Sequence, residues 1–266
     1  MIREFLQPET LQEALVLKAQ HGDQAVFMAS GARLNATPTK TTKPVAISLS
    51  GLGLKGIEQT GEGWELGALT TLQQIVDHVE LPEGLREAAG LIFSRNMRNQ
   101  ITLGGEVAVN GTQCQVIPAL LAMDAEIELA IDSGGSCRMT VEAWQQQSLG
   151  LITKVIIPST LHYCRTEKVV KSCAGLPIVG VSLAVNEKEG RRSFGIALVG
   201  VTEKAVRLHD VEAMLNDGSL TREGLEEAVG KSVFPVSDHL GSAEYKRHIS
   251  GVLVGLLIEE FNSWSK

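Results

Sequence analysis

The adjacent glycines Gly104 and Gly105 constrain this chain more than any other feature. They lie between apolar segments in the run spanning residues 98–125, RNQITLGGEVAVNGTQCQVIPALLAMDA. Without side chains, the backbone there lets N–H groups approach a diphosphate. The alternation of Val107 and Val109 after the pair fits a strand with a glycine bulge equally well. The residues alone leave both readings open. A second small-residue turn, Ala29-Ser30-Gly31-Ala32, follows a short apolar strand at 25–28 and adds weight to the first.

The 266 residues exceed one core of roughly 100–150 residues, so two domains are expected. Hydrophobic residues at 44% and charged residues at 21% place the chain among globular proteins, and 4% aromatics leave the core to Leu, Val, Ile and Ala. The net charge is −7 and basic residues cluster only at Lys168/Lys171, Arg191-Arg192 and Lys246-Arg247, which argues against nucleic-acid binding. Cys114, Cys137, Cys164 and Cys173 form no CxxC pair and have no histidine at zinc-finger spacing, so no metal or iron–sulfur site is expected on this chain. The start MIREFLQPE lacks the apolar run of a signal peptide, and no apolar stretch is long enough to span a bilayer. A cytoplasmic protein with no membrane association is expected.

Thr10 and Glu13 form T-x-x-E, a capping box, ahead of an apolar helix face that runs to His21-Gly22. Strands follow at 25–28 and 45–49, a hairpin at 55–69, and helices at 71–79 and 83–93. The segment 116–123 reads as a buried helix and 125–131 as a strand. A loop through Ser133-Gly134-Gly135 leads to a helix at 141–147 and a strand at 151–157, closed by Pro158. Beyond Ser159 the strands 162–172, 179–185 and 193–201 give way to helices at 211–215, 221–229 and 242–261. Strands followed by helices suit a separate α+β domain.

Gly51-Leu52-Gly53-Leu54-Lys55-Gly56 is a literal G-x-G-x-x-G. A dinucleotide fingerprint needs a helix directly after the glycines, whereas Ile57-Glu58-Gln59-Thr60-Gly61 is strand and turn chemistry. The segment is read as a connection between strands.

RNQITLGGEVA followed by VIPALLAMDA resembles the R-N-x-A-T-x-G-G-N-I and P-x-L-L-A-L-D-A segments of the FAD-binding subunits of molybdenum hydroxylases, such as xanthine dehydrogenase and carbon monoxide dehydrogenase. FMASGARL stands where that family has an A-G-G-T-D-L loop, and ISLSGLGLKGIE where it has a strand and an L-K-G-I turn. LITKVIIP matches the end of its flavin domain, and GSAEYKRHISGVLV its G-S-A-x-Y-R-R segment. The likeness covers nearly the whole chain.

The resemblance implies a two-lobed FAD-binding domain of the vanillyl-alcohol-oxidase/PCMH type over residues 1–159, with lobes at about 1–55 and 56–159. A small α+β domain at 160–261 and a tail at 262–266 complete the chain. It further implies that Met28, Ala29, Ser30, Gly31, Ala32, Arg33 and Leu34 wrap the FAD diphosphate and ribityl chain. Thr102, Gly104, Gly105 and Glu106 form a second backbone cradle, Cys114 and Gln115 lie beside the ribityl or phosphate region, and Lys168 approaches the flavin from the second domain. The partners implied are a molybdopterin-bearing large subunit and a [2Fe–2S] small subunit, with NAD as an acceptor. No protein acid, base or nucleophile is required, because the flavin performs the redox step.

Departures from the family pattern fall on the contacts: Ser30 for glycine, Ala32 for threonine, Arg33 for an acid, Glu106 for asparagine, Thr112 for proline, Gln115 for aspartate and Leu176 for aspartate. A carboxylate at Glu106 repels a diphosphate unless it turns away, and Arg33 is placed to offset it. These substitutions motivate an alternative expectation, a non-catalytic assembly subunit that keeps the fold. A stand-alone dehydrogenase finds no residues for a substrate step.

Overall fold

The computed structural model describes residues 2–36, 40–112, 114–131 and 135–265, with the backbone alone of Glu223. The loop residues Ser133 and Gly134 and the final Lys266 lie outside the described residues.

The first lobe is a small parallel sheet. Strand β1 (Glu4–Leu6) leads through α1 (Leu11–His21) to β2 (Ala25–Met28) and then β3 (Val45–Ser48). The order is β1-β3-β2, with β3 parallel to both neighbours. Thr10 caps α1 by accepting from the Glu13 N–H at 3.1 Å. The expected box is only half formed, because the Glu13 carboxylate accepts from the Glu9 N–H at 2.8 Å instead.

The second lobe is a five-stranded antiparallel sheet with helices inserted in its middle. The hairpin β4 (Ile57–Thr60) and β5 (Gly63–Gly67) precedes α2 (Leu72–Asp77), α3 (Glu83–Gly90), α4 (Arg95–Arg98), α5 (Leu103–Val109) and α6 (Val116–Ala122). Strands β6 (Glu126–Ala130) and β7 (Ser136–Thr140), helix α7 (Val141–Gln147) and strand β8 (Leu151–Pro158) complete the order β4-β5-β8-β6-β7. The connection holding Gly51, Gly53 and Gly56 runs from β3 to β4 with no helix after it, as expected of a link between strands. The full capping box falls at α2, where Thr71 and Gln74 bond reciprocally.

The third unit is a four-stranded antiparallel sheet under three helices. Its strands are β9 (Leu161–Val170), β10 (Pro177–Lys188), β11 (Arg191–Val199) and β12 (Val206–Arg207), in the order β12-β11-β10-β9. Glu189 and Gly190, both at positive φ, form the two-residue turn between β10 and β11. Helices α8 (His209–Asn216), α9 (Arg222–Ser232) and α10 (Ala243–Trp264) cover one face. Ser242 of the GSAEY segment caps α10 by accepting from the Tyr245 N–H. The helix continues through Asn262 to Trp264, residues expected in a solvated tail, because Trp264 packs against Tyr163 and Phe261.

Helix α6 is buried along its whole length, as the apolar run predicts, and wedges against α3, α5, β10 and β11. Strand β9 is clamped to α3 by polar bonds. The Thr166 hydroxyl donates to the Gly84 carbonyl at 2.8 Å, and the Thr166 N–H donates to the Glu87 carboxylate at 2.8 Å. The third unit is therefore fixed against the middle of the second lobe.

Candidate functional site

The Gly104-Gly105 segment is neither a strand bulge nor an open loop: it is the first turn of α5. Thr102 starts this helix by accepting from the Gly105 N–H at 3.2 Å. Leu103 and Val107, one turn apart, are fully buried, so the valines that suggested a strand belong to a helix with a 3.6-residue period. Both glycine N–H groups are already used, that of Gly104 by the Ala68 carbonyl at 2.8 Å and that of Gly105 by Thr102. The expected second cradle of free amides is thus absent at these positions. Gly104 serves close packing instead: a Cβ there would stand 2.7 Å from Ala68 Cβ.

The first loop is oriented as its sequence predicts. It leaves β2 at Met28, and Gly31 takes φ +77°, in the left-handed region that glycine adopts at little cost. Met28 packs its terminal methyl against Gly31, the Asn35 N–H donates to the Gly31 carbonyl at 3.0 Å, and the Ala32 N–H reaches Ser30 Oγ at 3.5 Å. No acceptor for the N–H groups of Ser30 or Gly31 lies among the described residues. Between this loop and α5 lies a hollow of about 210 Å³, lined by Ala29, Ser30, Gly31, Ala32, Arg33 and Leu34 on one side and Thr102 and Gly105 on the other.

At Arg33 and Ile101 this hollow meets a second of about 220 Å³, lined by Gln115, Met97, Phe93 and the turn Ala174-Gly175-Leu176. Leu176 continues into a third, of about 360 Å³, between Thr112 and the third unit. The hollows share wall residues, and their combined lining, termed the groove, draws on all three parts of the fold. Gln115 is buried in its wall, and its side-chain carbonyl oxygen has no hydrogen-bond partner among the described residues. A buried acceptor of this kind costs a hydrogen bond until a ligand donor supplies it.

The half-buried Arg33 and the fully buried Glu106 form an ion pair. Arg33 Nη2 lies 3.0 and 3.3 Å from the two carboxylate oxygens, and the Gln115 N–H donates to the same carboxylate at 3.2 Å. Glu106 has no solvent exposure and lines none of the groove, so its charge is turned away from any ligand there. Burial pushes its carboxyl above the ordinary value against the opposing pull of Arg33 and the Gln115 amide.

Two other expected contacts are placed differently. Cys114 is fully buried, accepts from the Gly111 N–H at 3.4 Å and lines no part of the groove. Burial and the Glu106 carboxylate raise its thiol to about 12. Lys168 does approach from the third unit, but its ammonium donates to the Leu91 carbonyl at 2.5 Å, behind the wall, and burial lowers its pKa. Phe27, Ile101, Phe93 and Met97 line the groove and escaped the sequence reading. Ile101 adjoins Thr102 and could have been found there, whereas Met97 depends on α4, whose single turn leaves no periodic signal, and Phe93 lies in the connection after α3, which ends at Gly90 rather than at 93.

The structural frame has known relatives. The model of the FAD binding domain in molybdopterin dehydrogenase matches residues 1–160, and that of the CO dehydrogenase flavoprotein C-terminal domain matches residues 175–261. The chain belongs to this FAD-binding family. It is 40% identical to the uncharacterised protein YgfM of Escherichia coli K12, over 96% of this chain and 94% of that protein. It is 27% identical to the nicotine 6-hydroxylase medium subunit of Paenarthrobacter nicotinovorans, over 96% of each. The solved carbon monoxide dehydrogenase of Hydrogenophaga pseudoflava superposes with a TM-score of 0.84 at 22% identity, over 96% of this chain and 95% of that one, which establishes the shared fold.

FAD is the cofactor that defines the family, and the groove fits such a group. Among the described residues it offers unpaired donors at Ser30 and Gly31, a glycine that keeps side chains clear at Gly105, and an unpaired buried acceptor at Gln115. No helix among the described residues is long and apolar enough to cross a membrane, and no cluster of His, Cys, Asp or Glu among them is suited to hold a metal.

Proposed function

We propose that this chain is the FAD-carrying subunit of a molybdenum hydroxylase-type complex in the cytoplasm. In that complex it takes electrons from a molybdopterin-bearing large subunit through a [2Fe–2S] small subunit and passes them to an acceptor such as NAD. The observation that carries the reading is the pair of adjoining hollows that hold the Ser30–Gly31 amides and Gln115, with Arg33 and Ile101 in both walls, in a chain whose relatives include medium subunits and medium chains of such enzymes. We assign residues 1–159 to the flavin-binding part and 160–261 to the domain that closes the groove.

When bound, FAD supplies the two-electron chemistry, and the protein supplies position and electrostatics. The amides of Ser30 and Gly31 donate to the diphosphate, with Ala29, Ala32 and Leu34 shaping the loop and Met28 bracing it from beneath. Thr102 and Gly105 keep the facing wall free of bulk. Gln115 accepts from a ligand hydroxyl or N–H. Arg33 keeps the Glu106 charge paired and away from the phosphates. Gly104, Cys114 and Lys168 act from behind the wall, as packing and tethering groups.

A second reading, an assembly subunit without flavin, is favoured by the Gly104 and Gly105 amides being already bonded within the protein. Co-expression with the large and small subunits separates the two. The flavin reading expects a yellow complex that oxidises NADH with an artificial acceptor, an activity abolished by Gly105→Trp. A colourless complex that still co-purifies would support the assembly reading.

A further inference from the structure

Three segments far apart in the chain line the two adjoining hollows: the loop at 28–34, the start of α5 at Thr102 and Gly105, and the turn that ends at Gln115. One side chain joins all three. Glu106 follows Gly105 in α5 and has no solvent exposure. Its two carboxylate oxygens take Arg33 Nη2, from the first loop, at 3.0 and 3.3 Å. The same carboxylate accepts from the Gln115 N–H at 3.2 Å and from the Cys114 thiol. Its donors thus come from both sides of α5 in the chain, and they meet at a single buried group.

A carboxylate suits this position and an amide does not. Paired with a guanidinium, an ionised carboxylate offers acceptors only, on two oxygens with about four lone-pair sites. A glutamine of the same shape would turn its NH2 toward either Arg33 or the Gln115 N–H, donor against donor, and one of the two links would open. Bonds to an ionised acceptor are also shorter and stronger than neutral ones, so they fix the spacing of what they join more tightly.

We propose that Glu106 is a positioning residue of this site. It sets the spacing between the first loop, which carries the Ser30 and Gly31 amides, and the turn that carries Gln115, so that both hollows meet one ligand at once. This role rests on the flavin reading. Glu106 itself lines neither hollow, so it acts through its neighbours and not on the cofactor. A ligand long enough to reach both hollows gains from a fixed spacing, because its second contact forms at the high effective concentration of a tethered group. A ligand that reaches only one hollow gains nothing from it.

FAD and ADP, which carries the diphosphate without the flavin ring, separate spacing from simple packing. Both are titrated into the full chain well below its melting temperature, FAD by its fluorescence and ADP by calorimetry. In Glu106→Gln, FAD affinity should fall roughly tenfold, the loss of one bond to a charged group, while ADP affinity stays within about twofold. Arg33→Met with Glu106→Leu, an apolar pair that should restore stability, is the second variant if Glu106→Gln fails to fold. It too should bind FAD weakly, with ADP little changed. Unchanged or tighter FAD binding in Glu106→Gln, equal weakening of FAD and ADP, or FAD affinity that recovers with stability in the double variant would each overturn the positioning role while the flavin reading stands. A wild-type chain that binds no FAD, alone or with its partner subunits, would overturn both.

Discussion

Arg33 and Glu106 replace the acid and the asparagine of the family pattern, and they meet in an ion pair at 3.0 Å whose carboxylate is fully buried. The two departures that looked most damaging to a phosphate site are therefore one compensated change. Removing Arg33 leaves the Glu106 carboxylate buried and uncompensated, which costs up to about 3–5 kcal/mol in fully buried pairs. Arg33→Met should lower the denaturation midpoint accordingly, and Arg33→Met with Glu106→Leu should recover most of the loss. A double variant no more stable than Arg33→Met would show that the two residues act separately.

Gly31→Ala tests the first loop. A Cβ there would strain the +77° backbone and stand 2.6 Å from Met28 Cε. The left-handed penalty of about 1–2 kcal/mol falls on stability, and a loop that shifts to relieve it misplaces the Ser30 and Gly31 amides, so weaker FAD binding is expected from equilibrium titration. Unchanged FAD affinity would remove this loop from the site.

The overall fold was legible because its signals are local: the apolar run of α6, the apolar strands β10 and β11 of the third unit and the small residues after β2. The status of Gly104-Gly105 was not legible. Whether their amides are free depends on the Ala68 carbonyl and the Thr102 hydroxyl, and the first of these comes from a distant part of the chain. The alternation of Val107 and Val109 mimicked a strand because Gly105 and Ala108 weaken the helical pattern between them. Strand β7 was missed for a related reason: it is an edge strand whose SCRMT sequence is largely exposed, and Arg138 holds it through Glu62 and Glu126.

Close packing at Gly104 gives a prediction independent of the cofactor. Gly104→Ala places a methyl 2.7 Å from Ala68 Cβ and 3.0 Å from the Ala68 carbonyl oxygen. Overpacking of this size costs about 1–3 kcal/mol, visible as a lower melting temperature. Ala68→Gly in the same chain should restore part of it. An unshifted melting temperature for Gly104→Ala would show that α5 is not held against Ala68.

Thiol reactivity reports on the site's interior. Cys173 is exposed, whereas Cys114 and Cys164 are buried, with thiols raised to about 12 and well above the ordinary value respectively. The thiolate is the reactive form, and burial disfavours it at both positions. Alkylation of the native chain followed by mass spectrometry should modify Cys173 first and leave Cys114 and Cys164 intact until denaturant is added. Early modification of Cys114 would contradict its enclosure behind the groove.

Flavin binding itself is tested most directly by the visible absorption spectrum of the purified chain after incubation with FAD and removal of the excess. The account predicts retained oxidised-flavin bands near one equivalent per chain, and their loss in Gly105→Trp, where an indole fills the groove. A colourless wild-type chain, both alone and with its partner subunits, would contradict it, as would full flavin retention by the Gly105→Trp variant.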